Sequence, residues 1–106
     1  MGQMSFTEFA ASIARDPKPP TEVPAALSAL WHDARGDWSV AHTFAQEEHG
    51  SGGAWVHAYL HRKEGDLGNA AYWYSRAGRP TPAPDVTLPA EWEQITRELL
   101  NDTAAA

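Results

Sequence analysis

Two histidines four residues apart, His57 and His61, are the pair in this chain best suited to chemistry. On a helix, an i, i+4 pair puts both imidazoles on one face, a spacing that can chelate zinc or another divalent metal. Glu64 follows three residues later on the same stripe and offers an oxygen ligand. His42, on the preceding helix, can join them if the helices pack face to face. A divalent metal such as zinc is the cofactor this pattern implies. The same spacing also fits a solvated polar helix face, with one imidazole bonded to Glu64 or to a backbone carbonyl. The His-Glu-x-x-His pattern of metalloproteases is absent.

A second group lies further along the chain. Asn69, Tyr72 and Arg76 share a helical face by i, i+3 and i+4 spacing, and Trp73 borders it. An aromatic ring beside an arginine and an amide can hold a carboxylate or a planar ring. The plainer assignment puts Trp73 and Tyr74 in the core, Arg76 in a surface ion pair and Asn69 in a turn. The candidate ligand contacts are therefore His57, His61, Glu64, Asn69, Tyr72, Trp73 and Arg76, and the candidate metal set is His42, His57, His61 and Glu64. No serine sits in a strand–turn–helix elbow, and Gly50-Ser51-Gly52-Gly53 lacks the lysine of a phosphate loop, so it reads as a plain linker.

Helical elements must position these groups. Ser5-Phe6-Thr7-Glu8 is a capping box, and Phe6, Phe9, Ala10 and Ile13 follow at helical spacing to about Arg15. Asp16-Pro17-Lys18-Pro19-Pro20 ends that helix. Thr21 or Glu22 can open the next, with Pro24 in its first turn and Leu27, Leu30, Trp31 and Ala34 in one stripe. A further helix starts near Trp38 and aligns Val40, Ala41, Phe44 and Ala45. The helix predicted over 54–64 gathers Trp55, Val56, Ala58, Tyr59 and Leu60 on one side and His57, His61 and Glu64 on the other. The next runs from Leu67 to Ala77 and closes at Gly78. After the Pro-rich connector, Pro89 opens a last helix with Trp92, Ile95, Leu99 and Leu100 in a stripe.

Ala34-Arg35-Gly36-Asp37-Trp38 and Lys63-Glu64-Gly65-Asp66-Leu67 repeat one turn at an offset of 29 residues. Glycine can take the left-handed conformation that closes a helix, and aspartate can cap the next. The expected architecture is all-α, with two antiparallel helical hairpins over 21–78. An N-terminal helix and Pro-rich strap cover 1–20, and a Pro-rich connector and C-terminal helix cover 79–106, all in one domain.

Placed around these turns, the hairpins resemble tetratricopeptide-type repeats, most clearly through Ala58, Gly65-Asp66-Leu67, Ala70, Tyr74, Ala77 and Pro82. The resemblance implies a binding or scaffolding module whose first helices line a groove, with the His57–His61–Glu64 face pointing into it. The segments Leu30 to Trp38, His57 to Asp66 and Asn69 to Gly78 also resemble a group of small, mostly bacterial proteins. That second likeness implies no activity.

Composition bounds the rest. At 106 residues, with 42% hydrophobic content and five tryptophans, the chain can bury one modest core, the tryptophans filling gaps between alanine-rich helices. With no cysteine, disulfides, thiolate metal sites and thiol catalysis are excluded, and a cytoplasmic location is the default expectation. A net charge of −6 argues against nucleic acid, and no run is apolar for long enough to suggest a membrane partner. The local basic excess at Arg62, Lys63, Arg76 and Arg79 reads as a solvated face. The leading expectation is a helical interaction module with a protein or peptide partner, or a homo-oligomer. The alternative is a metal-dependent or histidine-assisted enzyme built on His57, His61 and Glu64.

Overall fold

A computed structural model of the chain describes residues 4–105. Among them the regular elements are all α-helices: α1 (Phe6–Arg15), α2 (Ala25–Ala34), α3 (Trp38–Glu47), α4 (Ser51–Lys63), α5 (Leu67–Ala77) and α6 (Leu88–Ala105). No strand occurs among the described residues, so the all-α expectation holds. No helix among them is long and apolar enough to cross a membrane.

Local chemistry sets most helix ends. The Ser5 hydroxyl accepts from the Glu8 amide at 3.0 Å, and the Glu8 carboxylate accepts from the Ser5 amide at 2.9 Å. The two Gly-Asp turns are copies in conformation as well as in sequence. Gly36 and Gly65 take φ of 83° and 89°. The Asp37 amide donates to the His32 carbonyl at 3.0 Å, and the equivalent Asp66 amide donates to His61 at 2.9 Å. Each aspartate then caps the helix it opens, through Val40 and Asn69 respectively. This is the Schellman closure that left-handed glycine permits.

Two boundaries differ from expectation. Helix α2 starts at Ala25, with Pro24 extended as its N-cap, because the residue before a proline is driven out of the helical region. Gly52 and Gly53 are helical rather than linker, and α4 begins at Ser51. A Cβ on Gly53 would lie 2.1 Å from the Glu48 carbonyl oxygen, so the glycine is there for a close backbone approach.

Helices α2 and α3 pack as one hairpin and α4 and α5 as another, with α3 and α2 both against α4. Helix α6 lies on α2 and α4, and α1 touches α6. Helix α4 is thereby enclosed, and residues 53–61 are all buried. This corrects the expectation of one apolar and one solvated side. Indole N–H groups tie the layers: Trp31 donates to Ser12 Oγ, Trp38 to the Leu60 carbonyl and Trp92 to the Leu30 carbonyl, at 3.0, 2.9 and 3.0 Å.

The basic group keeps its expected solvated face only in part: Lys63 and Arg76 are exposed, but Arg62, Lys63 and Arg79 take fixed partners. Lys63 pairs at 2.8 Å with Asp33, which is buried and also accepts from the Tyr59 hydroxyl at 2.8 Å. Arg62 pairs at 2.7 Å with buried Glu91, which accepts from the Tyr74 hydroxyl at 2.5 Å, and Arg62 also donates to the Val86 carbonyl. Arg79 pairs with Glu98 and stacks over Trp55. Burial, reinforced by Asp33 at Tyr59 and by Glu91 at Tyr74, pushes both phenols far above their ordinary value and keeps them as donors.

Alanine normally gains up to about 1 kcal/mol over glycine inside a helix. Gly53→Ala is expected to reverse that sign and lose about 1–3 kcal/mol, because the obstacle is backbone. Gly68→Ala, with open space around its Cβ, is expected to leave stability unchanged or raise it. Urea unfolding of the two variants beside the parent checks the pair.

Candidate metal centre

One turn of α4 separates His57 from His61, and their rings stack with centroids 4.9 Å apart. His61 lies at the start of the closing turn, from which Glu64 reaches back so that its Oε1 is 2.6 Å from His61 Nδ1. An ionised carboxylate only accepts, so Nδ1 is the donor in this bond. Helix α3 supplies His42 one turn after Trp38, whose indole stacks on it at 4.8 Å. The Trp38 bond to the Leu60 carbonyl holds that indole against α4. His42 Nε2 lies 2.9 Å from His57 Nε2, a spacing at which one nitrogen donates and the other accepts. His57 in turn stacks on Trp73 of α5, with centroids 4.0 Å apart.

One ring nitrogen from each of His42, His57 and His61 lies within 4.8 Å of the others. The three residues therefore converge, although they come from two helices. His57 and His61 are buried, at 6% and 8% exposure, and His42 is partly buried. A solvated face is ruled out for the pair, because α3 and α5 cover the side of α4 that carries them. Burial first, then the neighbouring His42 and His61, lowers His57 to about 4. Burial and His61 also lower His42. Both imidazoles are neutral near pH 7, the form that binds metal. Tetrahedral zinc, with Zn–N of about 2.0–2.1 Å, needs N···N separations of roughly 3.3 Å. The His42–His57 pair, at 2.9 Å, is a little closer than that, and all three nitrogens lie within 4.8 Å of one another.

Glu64 is occupied as the partner of His61 and stands behind the cluster. Asp66 also comes within reach of His61 and Glu64, but its carboxylate caps α5. The second expected group divides. Asn69 is taken by the turn, its side chain donating to Asp66 at 3.2 Å. Tyr74 belongs to the core. Arg76 donates to the Tyr72 hydroxyl at 2.8 Å and sits 5.6 Å from the centre of the Trp73 ring, so it makes no ion pair of the kind expected.

Trp73 and Arg76 share a cleft of about 330 Å³ with His57, to which Ala45, Gln46, Glu48, His49 and the start of α4 also contribute. Gln46, Glu48, His49 and Ser51 were not legible as site residues. They occupy a helix end and a short loop, where no periodicity marks a face. Glu48 is held in place by accepting from the Ala26 amide at 3.1 Å.

The groove expected along the first helices is filled. Helix α6 packs on α2 and α4, with Ile95, Leu99 and Leu100 buried, and the histidines point away from it towards α3 and α5. Comparison of the chain with protein-family models, with curated proteins and with solved structures gives no match.

In the metal-free protein, the lowered histidine sets a pH window. Unfolded His57 takes up a proton near 6.5, whereas the folded one refuses it until about 4. Stability is therefore complete above pH 7 and falls as pH drops from about 7 to about 4. The expected loss is on the order of 2–3 kcal/mol, with His42 adding in the same direction. Urea unfolding in chelator at pH 7.5 and 4.5 measures it, and His57→Gln is expected to flatten the difference.

Proposed function

We propose that this chain is a metal-dependent protein whose ion, zinc in the first instance, is held by His42, His57 and His61. The observation that carries the reading is the convergence of three buried or half-buried imidazoles on one point. Glu64 behind His61 supports it, since a carboxylate on the far nitrogen orients a ligating histidine and raises its basicity. The choice of zinc follows from three imidazoles with no thiolate in the chain. Three protein ligands rather than four is the pattern of a working site with an open position, not of a structural one. An ion held this way supplies a Lewis-acid position that a water or a substrate oxygen can fill. Whichever of His42 and His57 donates through Nε2 would move that proton to its own Nδ1, so that both would offer Nε2 to the ion as neutral imidazoles.

Equilibration of chelator-treated, untagged protein with Co²⁺ is expected to give the visible spectrum of a tetrahedral cobalt site at one ion per chain, with displacement by Zn²⁺. At about 100 times the dissociation constant, mass action adds about 2.7 kcal/mol, which is worth on the order of 10 °C in Tm for a chain of this size. His57→Ala is expected to abolish the spectrum, and Glu64→Gln to weaken binding about 10–100-fold. No stoichiometric metal, with a melting temperature indifferent to metal and chelator, would sink the proposal.

A second reading, interaction with a protein partner or with another copy of the chain, is favoured by one observation. Leu67 and Tyr72 on α5 are large apolar side chains exposed at 68% and 51%. Light scattering across a concentration series is expected to register self-association that Leu67→Asp removes; a clean monomer at every concentration counts against the homo-oligomer.

A further inference from the structure

We infer that the cleft beside the histidines is the seat of a small organic carboxylate, held between Arg76 and the open metal position, with Trp73 as its platform. The inference rests on the metal reading above and names the class of molecule that site would take. Continuity is the first support, because His57 belongs both to the three-histidine cluster and to the cleft wall. A group entering the cleft is thereby set against His57, one of the ion's three ligands. Size is the second. About 330 Å³ has room for roughly a dozen non-hydrogen atoms, which suits a metabolite-sized acid.

Charge selects the class. Arg76 is the permanent cation on the cleft wall, and one of its N–H groups is used by Tyr72, leaving the rest of the guanidinium fork for a ligand. The fork matches a carboxylate in a planar, two-bond geometry. Glu48, the carboxylate that also lines the cleft, is bonded to the Ala26 amide. The Trp73 ring stacks on His57 and carries Arg76 beside it, so a planar acid lying in the cleft meets aromatic surface and cation together.

Benzoate, with benzamide as its uncharged counterpart, is the probe, titrated into Co²⁺-loaded protein while the cobalt absorption is followed. The expected result is a saturable change of the spectrum with benzoate and none with benzamide. Arg76→Ala is expected to weaken benzoate about 10-fold, with Arg76→Lys between the two. No cobalt spectrum at all overturns the metal reading and this inference with it. A cobalt spectrum that benzoate leaves unmoved overturns this inference alone, as does equal benzoate affinity in the parent and Arg76→Ala.

Discussion

Helix α4 has neighbours on every side, and the rest of the molecule is arranged around that enclosure. A helix so placed cannot send its polar side chains to water, so each must find a partner inside the protein or be costly to bury. Tyr59 finds Asp33, His57 finds His42, His61 finds Glu64 and Arg62 finds Glu91. Among the described residues no buried side-chain nitrogen or oxygen is left without a partner. The histidine cluster and the ion pairs are two answers to one constraint.

The two answers differ in what they leave over. On the side facing α2 and α6, Asp33 and Glu91 each receive one cation and one phenol, and their oxygens are used. Such pairs repay their desolvation only when complete, and they hold α2, α4, α5 and α6 in one register. On the side facing α3 and α5, His42 and His57 bond to each other and His61 bonds to Glu64, so the imidazoles are held by one another and by one carboxylate. The side beside the cleft thus keeps its polar groups in a cluster of rings, while the opposite side places them in ion pairs.

Much of the local structure was legible because it depends on few residues. The repeated Gly-Asp turn needs a residue tolerant of positive φ followed by a short capping carboxylate, and both copies have them. The capping box at Ser5 and the pairing of His57 with His61 rest equally on short-range geometry. The misreadings share a different cause. Gly52 and Gly53 read as linker because nothing in the sequence announces that the Glu48 backbone will press against α4. The ion pairs of Arg62 and Lys63 are not visible in the sequence because their partners lie 29 and 30 residues away. The polar stripe of α4 reads as exposed because its cover comes from α3 and α5.

The sequence by itself determined the helical class, the hinge of each hairpin and the presence of two imidazoles one helical turn apart. Backbone sterics, capping and the 3.6-residue period act within a few residues and need nothing more. Only the tertiary structure decided that α6 fills the groove of the first helices, that His42 meets His57, and that Arg76 and Trp73 stand beside them while Asn69 does not. Those outcomes depend on which faces of distant segments exclude water together. Burial belongs to a residue's neighbours, and no window of sequence contains them.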